Sequence, residues 1–191
     1  MITASPRRHE AAADLQPRYY GKYRGTVWNN VDVQGEGRIQ VQVPAVGGPI
    51  PLINWARMCT PVGGMQHGMF AVPPLNAGVW VEFEQGDIDH PIWTGCFYGS
   101  GLETPKQAPA ANPVMQSITL QTPTQNCLVI NDQPGPSGGV QIRIHGLGTI
   151  VAAEGYLELT NNMGASIKLE GPKISIVAAE VDVNYGALNV K

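Results

Sequence analysis

The chain has 191 residues, of which 43% are hydrophobic, 7% aromatic and 14% charged, and its formal net charge is −3. This composition excludes a disordered chain, no run of 18 apolar residues predicts a membrane span, and the few Lys and Arg side chains argue against a general affinity for nucleic acid or anionic lipid. The 23 glycines and 16 prolines favour a turn-rich all-β fold in one or two small domains.

The first segment, residues 1–18, is polar and rich in alanine. Its stretch HEAAADLQ is long enough for only a turn or two of helix, which is marginal without packing. The segment lacks the apolar core of a secretory signal peptide. We predict an N-terminal arm over residues 1–18 that is either mobile or docks elsewhere.

The next segment, residues 19–99, contains five strand-like runs, which are RGTVWNNV, GRIQVQV, NWARMCT, GVWVEFE and PIWTGCFY. A longer excursion rich in Gly and Pro, VGGMQHGMFAVPPLNA, separates the third run from the fourth. Five short strands with one excursion after the third fit a small closed barrel of the OB type. Periodicity alone does not distinguish this barrel from other small β-barrels.

Acidic side chains cluster between the last two of these runs. Asp87, Asp89 and His90 lie within four positions and fit either a metal or acid/base site or a polar turn. A metal site needs further ligands from elsewhere in the chain, whereas Asp commonly accepts backbone hydrogen bonds in turns and Pro91 suits the start of a strand. We therefore predict a hairpin turn without a metal ion.

Catalytic patterns are absent from the sequence. Glu82 and Glu84 alternate onto the exposed side of a strand, where charges are expected. No Gly-x-Ser-x-Gly, His-Glu-x-x-His or phosphate-binding loop occurs. We predict a protein that is not an enzyme and uses no cofactor.

The three cysteines, Cys59, Cys96 and Cys127, are odd in number and more than thirty residues apart. This spacing matches neither a disulfide framework nor a zinc ribbon. We predict that they are buried small hydrophobic side chains.

Beyond the barrel, residues 100–116 include GLETPKQAPAANP, which has three prolines and no apolar pattern and predicts a linker. From residue 117 to residue 191, apolar residues recur in pairs at i and i+2, which is the period of a strand. The last four pairs follow one another every seven residues.

This seven-residue repeat differs from a coiled coil, because its apolar residues are β-branched and occupy positions a and c instead of a and d. Each unit offers a strip of about two side chains, which is too little for a core of its own. The tail either coils alone into a β-solenoid or wraps with identical tails into a shared prism. A repeat this short suits one side of a prism, so we predict a cyclic homotrimer. The residues predicted to line its axis are Ile167, Leu169, Ile174, Ile176, Val181, Val183, Leu188 and Val190.

His145 is a candidate for an axial metal ligand, because three copies of it would meet in a trimer. It follows Ile142 and Ile144, however, and alternation places Gln141, Arg143 and His145 on the other side of the strand, toward solvent. We therefore predict no metal at this position.

Several motifs together resemble one known family. These are GTVWNNVDVQGEGRIQVQVP, ARMCTPVGG and the block VPPLNAGVWVEFEQGDIDHPIWTGCFYG, followed by the repeating β tail. They are similar to the baseplate assembly protein V or tail-spike family of contractile phages, which is related to the spike part of type VI secretion VgrG proteins. The motifs are specific over residues 19–99, whereas the tail is similar in pattern only.

The resemblance implies an OB-fold collar followed by an intertwined trimeric β-helix, the needle, over residues 117–191. It implies a structural spike at the centre of a baseplate, below a hub protein, that pierces the target-cell envelope when a sheath contracts. Some relatives carry a lysozyme domain between collar and needle, for which the linker leaves no room. Others end in a His-x-His metal tip, whereas this chain ends NYGALNVK.

The expected partners are therefore two further copies, a hub at the collar and a PAAR-like tip protein at the C-terminal end, without nucleic acid. The residues expected to dock the tip protein are Tyr185, Gly186, Ala187, Leu188, Asn189, Val190 and Lys191. The expected location is a virion or injection particle assembled in the bacterial cytoplasm. The alternative is a single-stranded nucleic-acid-binding OB protein with a self-associating β tail, since OB folds often bind single strands through aromatic side chains.

Overall fold

The computed structural model describes residues 17–107 and 116–182 in full, together with the backbone of residues 183 and 188–190. The predicted all-β class is confirmed. The chain divides into two compact units, Met1–Gly101 and Leu102–Lys191.

The first unit contains seven strands in its described part. They are β1 Tyr23–Asn29, β2 Gln40–Gln42, β3 Arg57–Met58, β4 Gly63–Gly64, β5 His67–Gly68, β6 Gly78–Phe83 and β7 Pro91–Phe97. The helical segments are short, namely α1 Pro44–Gly47 and the 3₁₀ turns Glu84–Gly86 and Gly101–Glu103. Within the described residues, no helix is long and apolar enough to cross a membrane.

Five of these strands form a closed barrel. Their order is β2-β1-β6-β7-β3, with β3 parallel to β7 and the other neighbours antiparallel. The barrel closes where Ile39 and Ala56 exchange two backbone hydrogen bonds of 3.1 and 2.8 Å. Each of the five predicted runs supplies one strand, and the small hairpin of β4 and β5 occupies the excursion. The predicted OB barrel is confirmed.

The barrel core consists of the inward residues of the alternating strands. Its fully covered side chains are Val27, Ile39, Val41, Val43, Val79 and Val81, all at 0–1% exposure. Trp93 joins this core at 4% exposure, and its indole N–H donates to the Gly37 carbonyl at 3.1 Å. This core belongs to the first unit alone.

The prediction for the cysteines was wrong in two of three cases. Cys127 is buried, whereas Cys59 and Cys96 are exposed. Pro91 and Trp93 of β7 are buried, and Cys96 stands an odd number of positions after each, so alternation from them does not place its side chain in the core.

The second unit contains nine strands in its described part. They are β8 Ser117–Gln121, β9 Cys127–Asn131, β10 Gly139–Ile144, β11 Gly148–Ala153, β12 Tyr156–Thr160, β13 Ser166–Glu170, β14 Lys173–Val177, β15 Val181–Val183 and β16 Leu188–Val190. The last four strands coincide with the four units of the seven-residue repeat.

Strands β8 to β14 form one antiparallel meander in chain order. Tight turns make this possible, as at Gly155, whose φ of 88° lies in the left-handed region that favours glycine. Strands β15 and β16 form a separate antiparallel pair. Along each strand of the meander, successive side chains point to opposite faces of the sheet.

Candidate functional site

The main feature of the second unit is a continuous apolar face on the β8–β14 sheet. Residues directly opposite each other in the register share a face. One row across all seven strands consists of Leu120, Leu128, Ile142, Ile150, Leu159, Ile167 and Ile176. The adjacent row consists of Ile118, Ile130, Val140, Ala152, Leu157, Leu169 and Ile174. We call these two rows the apolar face.

The apolar face is left open by the single chain. Ile174 is 68% exposed and Ile118 is 63% exposed, and even Ile130 and Ile150 are 39% exposed. The barrel core, in contrast, is closed by its own chain. Scattered exposed aliphatic residues are normal, but contiguous apolar patches of this kind mark interaction surfaces.

A groove of about 540 Å³ runs along one end of this face. Ile150, Leu159, Ile167 and Ile176 form part of its lining, together with Val181 of β15. The groove has an apolar floor and is open to solvent, so it can accommodate aliphatic side chains from another molecule.

The opposite face of the same sheet is mainly polar, although Cys127 and Val129 of β9 are buried on it. Lys168 lies 3.2 Å from a carboxylate oxygen of Glu170 and 4.9 Å from the ring centroid of Tyr156. The side-chain oxygen of Gln107 accepts a hydrogen bond of 2.7 Å from Arg143. On this face the side chains of Lys168 and Arg143 have partners within the chain, whereas the buried Thr119 hydroxyl has none among the described residues. The apolar face, in contrast, offers only apolar side chains.

The residues predicted for the trimer axis are placed as follows. Ile167, Leu169, Ile174 and Ile176 share the apolar face, and Val181 is half-buried at the groove. The side chains of Val183, Leu188 and Val190 lie outside the described residues. That these residues line an axis remains a prediction, since the structure contains one chain.

The sequence reading missed the extent of this face. The same i and i+2 pairs occur in β8 to β12, and the register aligns them with the pairs of β13 and β14. The connections between these earlier strands differ in length, so no constant period showed that the pairs belong together.

Alternation predicted that Gln141, Arg143 and His145 lie on the side of their strand opposite Ile142 and Ile144. Gln141 and Arg143 lie on the face opposite Ile142, as alternation predicted, and both are half-buried. His145 is exposed in the turn after β10, where its backbone N–H donates to Asn126 at 2.9 Å.

The residues expected to dock a tip protein are only partly described. Tyr185, Gly186, Ala187 and Lys191 lie outside the described residues. The backbone of Leu188, Asn189 and Val190 forms β16, which pairs with β15 from Val181 to Val183.

The acidic turn between β6 and β7 forms as predicted. The Asp89 N–H donates to the Asp87 carboxylate at 3.0 Å, and the His90 N–H donates to the Asp87 carbonyl at 3.0 Å. The Asp89 N–H, followed by the charges of His90 and Arg18, lowers the pKa of Asp87. In the described part of the chain, no group of three or more His, Cys, Asp or Glu side chains is arranged to hold a metal ion.

A second acidic group, Asp32, was missed by the sequence reading. Its carboxylate accepts hydrogen bonds from the backbone N–H groups of Gln34, Glu36 and Arg38, at 2.9–3.2 Å, and from the Arg38 guanidinium at 2.7 Å. The guanidinium and these N–H groups hold the pKa of Asp32 well below its usual range, although burial opposes them. Asp32 therefore fixes the loop between β1 and β2. An Asp just before the glycines of VQGEG is the signal that could have indicated it.

Comparison with known protein families agrees with this division of the chain. Residues 23–98 match the family described as the type VI secretion system/phage-baseplate injector OB domain. Residues 117–189 match the phage baseplate V C-terminal trimerisation domain. The first match covers the barrel, and the second covers the sheet that carries the apolar face.

Individual relatives match over shorter shares of their own length. The type VI secretion system spike protein VgrG5 of Pseudomonas aeruginosa is 31% identical over 90 residues, which are 47% of this chain and 10% of the relative. The actin cross-linking toxin VgrG1 of Vibrio cholerae is 28% identical over 142 residues, 72% of this chain and 13% of the relative. VgrG3, a spike protein of Vibrio cholerae, is 33% identical over 93 residues, 48% of this chain and 9% of the relative. The chain thus spans about a tenth of the length of these relatives.

Proposed function

Because the chain belongs to the family of phage-baseplate V and type VI secretion injector proteins, we propose that it is the central spike of a contractile tail or injection-system baseplate. In this proposal it is a structural homotrimer without enzymatic activity, cofactor or nucleic-acid partner. The observation that carries the proposal is the open apolar face, which lies within the part of the chain that matches a trimerisation domain.

The apolar face supports a trimer because its two rows are complete and uncovered. Three sheets that face a common axis would bury each other's rows, and burial of each half-exposed Ile or Leu contributes roughly 1 kcal/mol. The cyclic arrangement closes, so no row remains exposed. Stacked at the usual strand spacing, seven strands would extend about 29 Å along the shaft.

The proposed division of the chain follows from this arrangement. Residues 19–99 form a collar that meets a hub protein, residues 100–116 link it to the shaft, and residues 117–191 form a trimeric β-helical needle. The proposed axis residues continue through β15 and β16. The N-terminal arm, residues 1–18, has no assigned role.

The mechanism we propose is mechanical. Contraction of a sheath would drive the narrow needle through the target-cell envelope. Rigidity would come from the continuous ladder of backbone hydrogen bonds and from the apolar axis. The particle would be assembled in the bacterial cytoplasm before use.

The C-terminal end is the proposed docking site for a PAAR-like tip protein. The apolar period continues to Val190, so β15 and β16 of three chains would together offer apolar side chains and strand edges to a docking protein. The proposed docking residues are Tyr185 to Lys191.

Truncation of the chain after Asn184 tests the proposed docking site for the tip protein. The truncated chain should remain trimeric, because β8 to β14 carry most of the apolar face, but it should no longer capture the co-expressed tip protein of the same particle. Removal of Lys191 alone is the matched control and should retain capture. Capture at the full-length level by the chain truncated after Asn184 would contradict the docking site.

A further inference from the structure

The outer surface of the barrel carries a second feature, formed by Arg24, Trp80 and Phe97. We call it the Arg24 shelf. Arg24 on β1 lies opposite Trp80 on β6 in the register. The rings of Trp80 and Phe97 are 5.1 Å apart at an angle of 50°. The guanidinium carbon of Arg24 lies 5.6 Å from the Trp80 centroid and 5.4 Å from the Phe97 centroid.

Two glycines lie opposite the aromatic pair in the register, and one of them, Gly78, is in close contact with a ring. Gly95 is opposite Trp80 in the register and Gly78 is opposite Phe97. A Cβ atom on Gly78 would approach the Phe97 ring to 2.7 Å, so the ring lies directly against the backbone at this position. The Phe97 ring is therefore fixed against the strand, and together with Trp80 it forms a platform beneath the guanidinium, which aromatic rings attract.

Among residues 17–101, no carboxylate lies within 4 Å of the Arg24 guanidinium. Arg18, Lys22 and Arg38 each have a carboxylate within 4 Å. Among the described residues of this unit, the cations without such a partner are Arg24 and Arg57. Arg24 alone is stacked on a pair of rings. Its exposed N–H groups are thus oriented for a carboxylate that comes from another molecule.

The described part of the barrel has few carboxylates that could pair with Arg24 of a second copy. Of its described carboxylates, Asp32, Glu36, Glu82 and Asp87 already lie near a cation, and Asp89 accepts a hydrogen bond from Asn54 at 3.0 Å. Glu84 is exposed and has no cation within 4 Å among the described residues, but its neighbours in the chain are the buried Phe83 and the polar Gln85, so it presents no apolar side chain to the rings. Charge complementarity therefore favours a foreign carboxylate over one from this barrel.

We infer that the Arg24 shelf is a docking site for a separate protein that presents an Asp or Glu side chain beside an apolar one. The guanidinium would bind the carboxylate with paired hydrogen bonds, and the rings would cover the neighbouring apolar group. Arg and Trp are enriched among the residues that dominate binding energy in interfaces. The inference rests on the proposed function only in that the hub would be the protein that docks here.

An array of 15-residue peptides, each with one Asp or Glu beside Leu or Phe, tests the inference with the full-length chain. Every peptide has a matched copy in which the acid is replaced by Asn or Gln. We expect a subset of the acidic peptides to bind and their amide copies to bind on the order of tenfold less, since a hydrogen bond to a charged group is lost. Binding should also weaken as salt concentration rises.

Three variants locate the binding on the barrel. Arg24→Gln should lose the preference for acidic peptides, Arg24→Lys should retain part of it, and Arg57→Gln should leave it unchanged. Equal binding of acidic and amide peptides, or loss with Arg57→Gln instead of Arg24→Gln, would overturn the inference. A change in oligomeric mass with Arg24→Gln would also overturn it, because Arg24 would then contact a second copy. The mass of the unmodified chain is measured separately. A wrong prediction of the trimer can therefore be distinguished from a wrong prediction of peptide binding at the Arg24 shelf.

Discussion

Asp32 shows how a single residue can organise a loop on the barrel. Its side chain is 5% exposed and accepts hydrogen bonds from three backbone N–H groups and from Arg38. The loop consequently holds its shape while Val33, at 95% exposure, extends into solvent. Since the interactions require the carboxylate, their contribution to stability depends on pH.

Replacement of Asp32 by Asn should lower the midpoint of thermal unfolding of the barrel at neutral pH. The pKa of Asp32 is lower in the folded state than its unfolded value of about 3.9, so the stabilisation is fully present above that value and is lost as pH falls toward the folded pKa. The difference in midpoint between Asp32→Asn and the unmodified chain should therefore shrink below about pH 4. A scan of the midpoint from pH 7 to pH 3 measures this.

Glu82→Gln is a suitable control, because Glu82 pairs with Lys22 on the barrel surface, where ion pairs contribute little. Its midpoint should differ little from that of the unmodified chain throughout the scan. A midpoint difference for Asp32→Asn that stayed constant from pH 7 to pH 3 would show that the carboxylate charge is not what holds the loop.

At the scale of strands, alternation in the sequence predicted the five barrel strands because inward and outward residues differ clearly in polarity there. Closure through Ile39 and Ala56 could not be predicted in this way, since it depends on pairing between distant segments. The burial of cysteines was mispredicted for a related reason. Cys59 follows the short strand β3, and Cys96 stands an odd number of positions after the buried Trp93, so both depend on where each strand lies and which of its sides faces the core.

The apolar face was predicted in part. The constant period in β13 and β14 identified Ile167, Leu169, Ile174 and Ile176, because their turns are equally short. The apolar pairs of the earlier strands were also visible in the sequence, but only the register shows that they share one face with β13 and β14, since loops of unequal length interrupt the period. Polar contacts such as those of Asp32 depend on loop geometry, for which the Asp before the glycines of VQGEG is a local signal but does not show which N–H groups the carboxylate accepts from.

Strand β14 allows a direct test of which face is buried. Ile174 and Ser175 are neighbours on opposite faces, and Ile174 is 68% exposed in the single chain. An isolated chain should therefore tolerate Ile174→Asp. If three copies meet on the apolar face, the change places three carboxylates in a desolvated core and should cost several kcal/mol for the assembly.

Ser175→Asp is the matched control, because it introduces the same group on the same strand opposite Lys168. Thermal unfolding and sedimentation of both variants give the comparison. We expect Ile174→Asp to dissociate or melt at a lower temperature and Ser175→Asp to behave as the unmodified chain. Equal behaviour of the two variants would show that the apolar face is not the one buried.

For the whole molecule, the two units differ in what they need from other chains. The barrel has a closed hydrogen-bond pattern and a core of its own. The second unit pairs its strands internally but leaves its apolar rows open. We expect assembly to depend on the second unit, because an open apolar face of seven strands favours association in water.

The mass of the full-length chain in native solution tests the trimer most directly. Light scattering over a range of dilutions, with circular dichroism to confirm folding, should give about three times the 20.4 kDa of one chain and no folded species of lower mass. A stable, folded monomer of about 20.4 kDa would contradict the account, because its apolar face would then persist in water without a partner.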